Sequence, residues 1–331
     1  MFKKIMLISS IIIMFNPPLM ASGFQQTIIY DPADTAFTIG IWYPSSQTAP
    51  TKINTPFRQK LALNAPLQTG HYPLIVMSHG YGGWLGSHAA TAKAVSDAGY
   101  IVVAPTHTGN NYQDESYPPS RWMQDRPRHI SLTLDYMTKQ WPDRQQLDTK
   151  KIGIFGFSAG GYTALVSSGA IPDIREIQRY CADRNIPLTE TVCHLGIRSD
   201  TNLSHHNFSN ALSDSRITAA VVAAPALGFG FTKESLENIH IPIQIWAAQN
   251  DQNVPFVSNI QPLENMLSSN AEFITIDHAG HFIFIPPCNP ELSTANPAVW
   301  KMVCTDDPKI NRTSFHNDFN RQLISFFAKQ L

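Results

Sequence analysis

Apolar positions along this chain change period in a regular way. Leu74–Met77 and Ile101–Ala104 are short unbroken apolar runs, Ile152–Phe157 is one broken by Gly153 and Gly156, Ile217–Ala223 and Ile243–Ala248 are apolar but for Thr218 and Gln244, and Glu272–Ile276 closes the series. Runs of that length read as strands buried on both faces, as in a parallel sheet. Between them, Ser87–Gly99 (with Ala90, Ala94, Val95 and Ala98 inward), Arg128–Gln140, the stretch from Tyr162, Phe256–Leu267 and Asn317–Lys329 carry helical spacing. Strand and helix alternating in this order predict a mostly parallel, doubly wound sheet with right-handed crossovers and helices on both faces. Gln26–Tyr30 and Ala36–Tyr43, joined by Asp31-Pro32-Ala33-Asp34, predict an antiparallel hairpin ahead of it. Ser45–Gly70 and Thr106–Asp125 read as irregular connections.

One gap breaks the rhythm. About 45 residues, Ile171–Ser215, separate the helix after Phe157 from the next strand, where about 2 to 6 is usual, so an inserted cap is expected there. No internal repeat or second domain is visible.

The strand Ile152–Phe157 runs directly into Gly156-Phe157-Ser158-Ala159-Gly160-Gly161 and then into a helix. G-x-S-x-G between a strand and a helix is the pattern of a nucleophile elbow: the glycines allow close backbone approach, and the turn holds the serine hydroxyl out at the carboxyl end of the sheet. Ser158 is the candidate nucleophile. The N–H of Ala159, at a helix N-terminus, faces any charge that develops there. Strand Leu74–Met77 ends in Ser78-His79-Gly80-Tyr81-Gly82-Gly83-Trp84, a glycine-rich exit suited to bringing the Tyr81 N–H to the same place as a second oxyanion donor.

A serine needs a base, and the base needs a group to orient it. After Ile243–Ala248 the chain reads Gln249-Asn250-Asp251, and after Glu272–Ile276 it reads Asp277-His278-Ala279-Gly280-His281-Phe282. Ser158, Asp251 and His281 follow the order serine, acid, histidine, each at a strand exit, and would meet at one end of the sheet. Asp277 and His278 are the competing acid and base. Tyr81, Trp84, His107, Phe282 and the cap are expected around the substrate.

Composition narrows the class. Among 331 residues, 24 Lys and Arg against 25 Asp and Glu, with no basic run, leave no electrostatic footprint for nucleic acid. Lys3 and Lys4, the apolar stretch Ile5–Phe15 and the small residues Ala21-Ser22-Gly23 have the order of a secretory signal, too short to span a bilayer. Cleavage is expected after Ala21 or Gly23, leaving a single domain over 24–331 that is periplasmic or secreted and has no transmembrane segment.

All four cysteines lie in the exported part, and an even number there favours disulfides. Of three possible pairings, Cys181 with Cys193 and Cys288 with Cys304 each close a short polar loop. His194, His205 and His206 have no tight zinc spacing, so neither a metal nor any other cofactor is expected. Sequons at Asn202, Asn207 and Asn311 would matter only in a eukaryotic secretory pathway.

The set HGYGG, THTGN, GFSAGG, AAQNDQNVP and HAGHF, followed by PPC and a later cysteine, resembles the α/β-hydrolase superfamily. Within it the set is similar to the exported bacterial group usually called predicted dienelactone hydrolases, itself similar to lipases of the platelet-activating-factor acetylhydrolase type. The likeness covers most of Phe37–Phe327. It implies an α/β-hydrolase fold and hydrolysis of a small-molecule or lipid ester by Ser158, His281 and Asp251, with the Tyr81 and Ala159 N–H groups as oxyanion hole. Two departures stand out. True dienelactone hydrolases carry cysteine where this chain has Ser158, and plasma-type acetylhydrolases carry their acid where this chain has Ala224-Pro225-Ala226. The same constellation would also serve an amidase or peptidase, and a retired hydrolase fold would serve a binding protein; that last class typically loses the serine or the histidine, and this chain has both.

Overall fold

The computed structural model describes residues 20–183, 185–186, 190–203, 212–267 and 271–331. Most of the expected signal peptide, part of the cap, and with it His205, His206 and Asn207, lie outside them.

The sheet has nine strands in the order β3-β1-β2-β5-β4-β6-β7-β8-β9. β1 (Met20–Ile29) and β2 (Phe37–Thr48) form the antiparallel hairpin, and β3 (Ala62–Leu63) adds two residues outside it. β2 pairs antiparallel with β5 (Ile101–Pro105). From there β4 (Tyr72–Ser78), β6 (Leu147–Phe157), β7 (Ile217–Ala223), β8 (Ile243–Ala248) and β9 (Ala271–Ile276) run parallel. The hairpin therefore extends the parallel sheet, and β1 begins earlier than the sequence pattern suggests. Gly23 pairs with Tyr43 and Ala62, and the Ser22 hydroxyl donates to Asp97 at 2.6 Å. The two expected cleavage points fall within this strand.

Successive residues of a strand face opposite sides, and here the alternation sorts the core into two layers. Leu74, Val76, Ile152 and Ile154 pack on one face with α2 (Pro119–Asp135) and α3 (Ala159–Ser167); Ile75, Met77, Phe155 and Phe157 pack on the other with α1 (Ala89–Asp97) and Phe319, Leu323 and Phe327 of the terminal helix. In α1 the buried positions are Ala89, Thr91, Ala92, Val95 and Ser96; Ala90, Ala94 and Ala98 are not buried. A helix made largely of small residues has too little hydrophobic asymmetry for its sequence to fix its rotation.

The expected helix over 128–140 is instead α2, starting at Pro119 and passing into a π-helical turn, Tyr136–Gln140. Proline suits the first helical position. Pro127, inside the helix, has no N–H for the carbonyl of Met123 four residues back, and the Tyr162 hydroxyl donates to that carbonyl instead, at 3.3 Å.

Between α3 and β7 the described part of the insertion holds α4 (Ile174–Ala182), capped by Asp173, and a π-helical turn, Cys193–Ile197. Cys181 and Cys193 are bonded, with Cα atoms 5.2 Å apart, as are Cys288 and Cys304 at 5.8 Å. After β7 comes α5 (Lys233–Leu236), and after β8 the expected helix is two pieces, α6 (Phe256–Asn259) and α7 (Gln261–Met266), the break falling at Ile260 just before Pro262. Two short helices, α8 (Leu292–Ala295) and α9 (Pro297–Val303), precede α10 (Arg312–Gln330), whose N-cap Asn311 accepts from the Ser314 N–H and starts it five residues before Asn317. No described helix is long and apolar enough to cross a membrane.

Candidate active site

β6 ends at Phe157 and α3 begins at Ala159, which leaves one residue for the turn. Ser158 occupies it with φ 57° and ψ −118°, a conformation an L-residue adopts only when its surroundings enforce it. Three backbone bonds do so. The Ser158 N–H donates to Ala223 O at 2.9 Å, and Ser158 O accepts from Tyr162 and Ala226, both at 3.1 Å. The glycines explain themselves by contact: a Cβ on Gly156 would sit 2.0 Å from Gly160 O, and one on Gly160 would sit 2.0 Å from Ser78 O.

The Ser158 hydroxyl lies 3.0 Å from His281 Nε2, and His281 Nδ1 lies 2.6 Å from Asp251 Oδ2. The other carboxylate oxygen accepts the N–H groups of Asn253 at 2.8 Å and Val254 at 2.7 Å, which fixes the carboxylate plane. A further bond, Asn250 N–H to Ala279 O at 2.9 Å, ties the acid loop to the histidine loop. All three side chains are buried, whereas Asp277 and His278 are exposed. His281 can take a proton from Ser158 on one nitrogen while Asp251 holds the other, the geometry of an activated serine.

The backbone at Gly80–Tyr81 lies alongside. A Cβ on Gly80 would be 3.5 Å from Ser158 Cβ. Gly80 O is held by the Gly83 N–H at 3.1 Å and by His79 Nδ1 at 2.7 Å. Because the His107 N–H donates to His79 Nε2 at 3.1 Å, the His79 proton resides on Nδ1 and donates to Gly80 O. With that carbonyl pinned, the N–H of the same planar peptide, that of Tyr81, points the opposite way. The Ala159 N–H is one of the first-turn donors that have no carbonyl within their own helix.

Behind this loop lies a buried polar layer of which only His107 was marked in the sequence. His107 Nε2 is 2.9 Å from Ser78 Oγ and its Nδ1 is 3.2 Å from His129 Nδ1, while His129 Nε2 is 3.4 Å from Asp31 Oδ2. His107 is fully buried there and does not line the cleft; Trp84 and Phe282 do. Burial and the neighbouring Arg126 cation hold His79 and His107 well below the usual histidine range, so both are neutral. Burial would raise Asp31, but His129, the Ala33 N–H and Arg128 keep it far below the ordinary carboxylate value. Arg126, fully buried and pushed down to about 9 by that burial, donates to His79 O, to Asn110 and, at 3.2 Å, to Thr163. Its sequence signal, an arginine one turn before a histidine on a helix, is too common to single out.

Two further buried groups escaped the sequence reading. Glu190, in the cap, accepts from Ser258 at 2.6 Å and Asn259 at 3.2 Å, and burial raises its pKa. His316, on α10, lies 2.9 Å from Ile283 O and 2.8 Å from Ile285 O, next to the short helix that begins with His281.

Ser158 and His281 open into a cleft of about 1270 Å³. Among the described residues no cluster of three or more His, Cys, Asp or Glu side chains is arranged to hold a metal ion.

Comparisons with known proteins bear on this geometry. A family model described as Chlorophyllase matches residues 33–171, and one described as BAAT / Acyl-CoA thioester hydrolase C terminal matches residues 133–331, more than half of the chain. No curated protein matches. A ferulic acid esterase from Streptomyces cinnamoneus superimposes with TM-score 0.63 at 15% identity, covering 96% of this chain and 91% of that one, which shows the shared fold. The chain thus belongs to the BAAT / acyl-CoA thioester hydrolase C-terminal family and, within the α/β-hydrolase superfamily, is a carboxylic ester hydrolase.

Proposed function

We propose that this protein is an exported serine esterase or lipase working through an acyl-enzyme on Ser158. The observation that carries the reading is the continuous hydrogen-bonded line from Ser158 Oγ through His281 to Asp251, at 3.0 and 2.6 Å. As Ser158 Oγ bonds to the ester carbonyl carbon, its proton passes to His281 Nε2, and Asp251 stabilises the imidazolium. The carbonyl oxygen becomes an oxyanion that accepts from the Tyr81 and Ala159 N–H groups; one such donor is worth roughly a hundredfold or more in rate. The C–O bond to the alcohol then breaks, and His281 returns the proton to the leaving oxygen. Water attacks the acyl group by the same route in reverse and frees the acid and Ser158. No step calls on a cofactor.

Export is supported by Lys3, Lys4 and the apolar stretch behind them, and by two disulfides that leave no described cysteine free. The domain is a single unit over 24–331 with its cap at about 171–215. N-terminal sequencing of the mature protein reads the cleavage point directly.

Turnover of p-nitrophenyl acetate by wild type and Ser158→Ala tests the mechanism. The variant is expected to lose activity by roughly a thousandfold or more, as is His281→Ala, with His278→Ala close to wild type. Equal rates in wild type and Ser158→Ala would remove Ser158 as nucleophile. Cleavage of a matching anilide as fast as the ester would instead favour the amidase reading.

A further inference from the structure

The segment after His281 is unusual in what it lacks. Neither α8 nor α9 has a single buried residue, so no hydrophobic face of either is packed into the core. A helix that short has little stability of its own. What holds the pair is covalent and polar: the Cys288–Cys304 bond encloses both helices, and Arg312 on α10 pairs with Asp306 at 2.7 Å just beyond.

The apolar side chains of this segment nevertheless share a direction. Val299, Met302 and Val303 fall at i, i+3 and i+4 of α9, one face of a helix. With Leu292 of α8, all of them line the cleft that opens on Ser158 and His281. Met302 is 57% exposed, so on this wall a large apolar side chain faces solvent. The same cleft has an aromatic part of its lining, with Phe57 and Trp84 rings 6.0 Å apart and Trp84 and Tyr112 5.7 Å apart. Arg58, beside Phe57 in that lining, lies 3.7 Å from Glu291, the residue before α8. About 1270 Å³ exceeds the roughly 300–1,000 Å³ of common small-ligand sites, and an acetyl group would leave most of it wet.

We infer that the α8–α9 segment is the acyl-binding wall of the site, and that the preferred substrate is an ester of an extended apolar acyl chain, octanoyl or longer. The inference rests on the serine esterase reading, because it takes its direction from the continuity of this wall with Ser158. The long chain would cover exposed Met302 and the half-buried Val299 and Val303 beside it, and the disulfide would keep the stripe in place without a packed core beneath it. Burial of apolar surface supplies the selectivity.

The test compares kcat/KM for p-nitrophenyl octanoate and p-nitrophenyl acetate. Wild type is expected to favour octanoate. In Met302→Asp, at an exposed position where folding is not at stake, the octanoate-to-acetate ratio is expected to fall roughly tenfold or more, chiefly through KM for octanoate, while Met302→Leu restores it. The Cys288→Ser, Cys304→Ser double variant is expected to lose the preference in the same direction. A wild type that favours acetate, or a ratio that Met302→Asp leaves unchanged, overturns the inference. Neither outcome touches the nucleophile, which is judged separately by whether Ser158→Ala abolishes turnover of both esters.

Discussion

His88 offers a quantitative check on how this interior is built. It precedes α1, is 3% exposed, and stands edge-on to Phe155 and Phe157 with ring centroids 5.1 and 5.4 Å away. Among the described residues neither ring nitrogen has a partner in hydrogen-bond geometry, the Phe284 backbone being only a nearby polar group. Burial, reinforced by nearby His316 and only partly offset by the Phe284 backbone, pushes its pKa down to about 3 from an ordinary 6.5. Between those two values the unfolded chain binds a proton that the folded protein refuses. The sign follows: the stability tied to His88 is fully present above about pH 6.5 and falls by about 1.4 kcal/mol per pH unit on acidification, down to about pH 3. At pH 5 the loss works out at about 2 kcal/mol relative to pH 7.5. Replacing His88 by leucine removes both the proton site and two unpaired nitrogens, so at neutral pH the variant should be as stable as wild type or more so. Urea unfolding of both proteins at pH 7.5 and pH 5, with disulfides intact, reads the difference. His316, itself pushed down to about 4, remains in both and cancels from the comparison. Wild type is expected to lose about 2 kcal/mol more than His88→Leu. Equal losses would mean that His88 accepts a proton in place, and the reasoning from burial would be refuted.

Two other perturbations follow from single contacts. Gly160→Ala sets a methyl 2.0 Å from Ser78 O and 2.7 Å from His79 O, forcing α3 away from the exit of β4; a loss of about 3 kcal/mol and of ester turnover is expected, and a wild-type melting temperature with wild-type rate would contradict it. Glu190, raised by burial, contributes stability that is present below its ordinary pKa and is lost as pH rises through the higher folded value. Glu190→Gln should therefore compare better with wild type at about pH 8 than at about pH 4 in thermal melts; a difference that widens at high pH would reverse the assignment.

The parts of the fold that were legible in the sequence share a physical property. β7 and β8 were read to the residue, because a strand buried on both faces is nearly all apolar, with Thr218 and the hydrogen-bonded Gln244 as the exceptions here. Ser158, Asp251 and His281, which the fold brings within hydrogen-bond distance of one another, each follow such a strand end. Where a partner distant in sequence decides the structure, local reading failed. α2 continues through Pro127 while Tyr162, on another helix, takes over the stranded carbonyl; the helix break at Ile260, by contrast, lies two residues before Pro262, a local mark that was passed over. His79, Arg126 and His129 became a layer only when the sheet order brought β4, the β5 exit and α2 together. In the α8–α9 wall Val299, Met302 and Val303 share one helix face, but two helices of 4 and 7 residues are too short for such a stripe to stand out in the sequence, and its face meets the cleft instead of the core.

The hydroxyl of Tyr162 that reaches Met123 O has an implication for how this chain can vary. Pro127 and Tyr162 lie on different helices, and each is costly without the other: a proline that strands a carbonyl, and a phenol sealed in a dry core. Phenylalanine at 162 is harmless only where residue 127 carries an N–H, and proline at 127 only where residue 162 carries a donor. Their substitution energies should be non-additive, and in related chains the two positions should change as a pair.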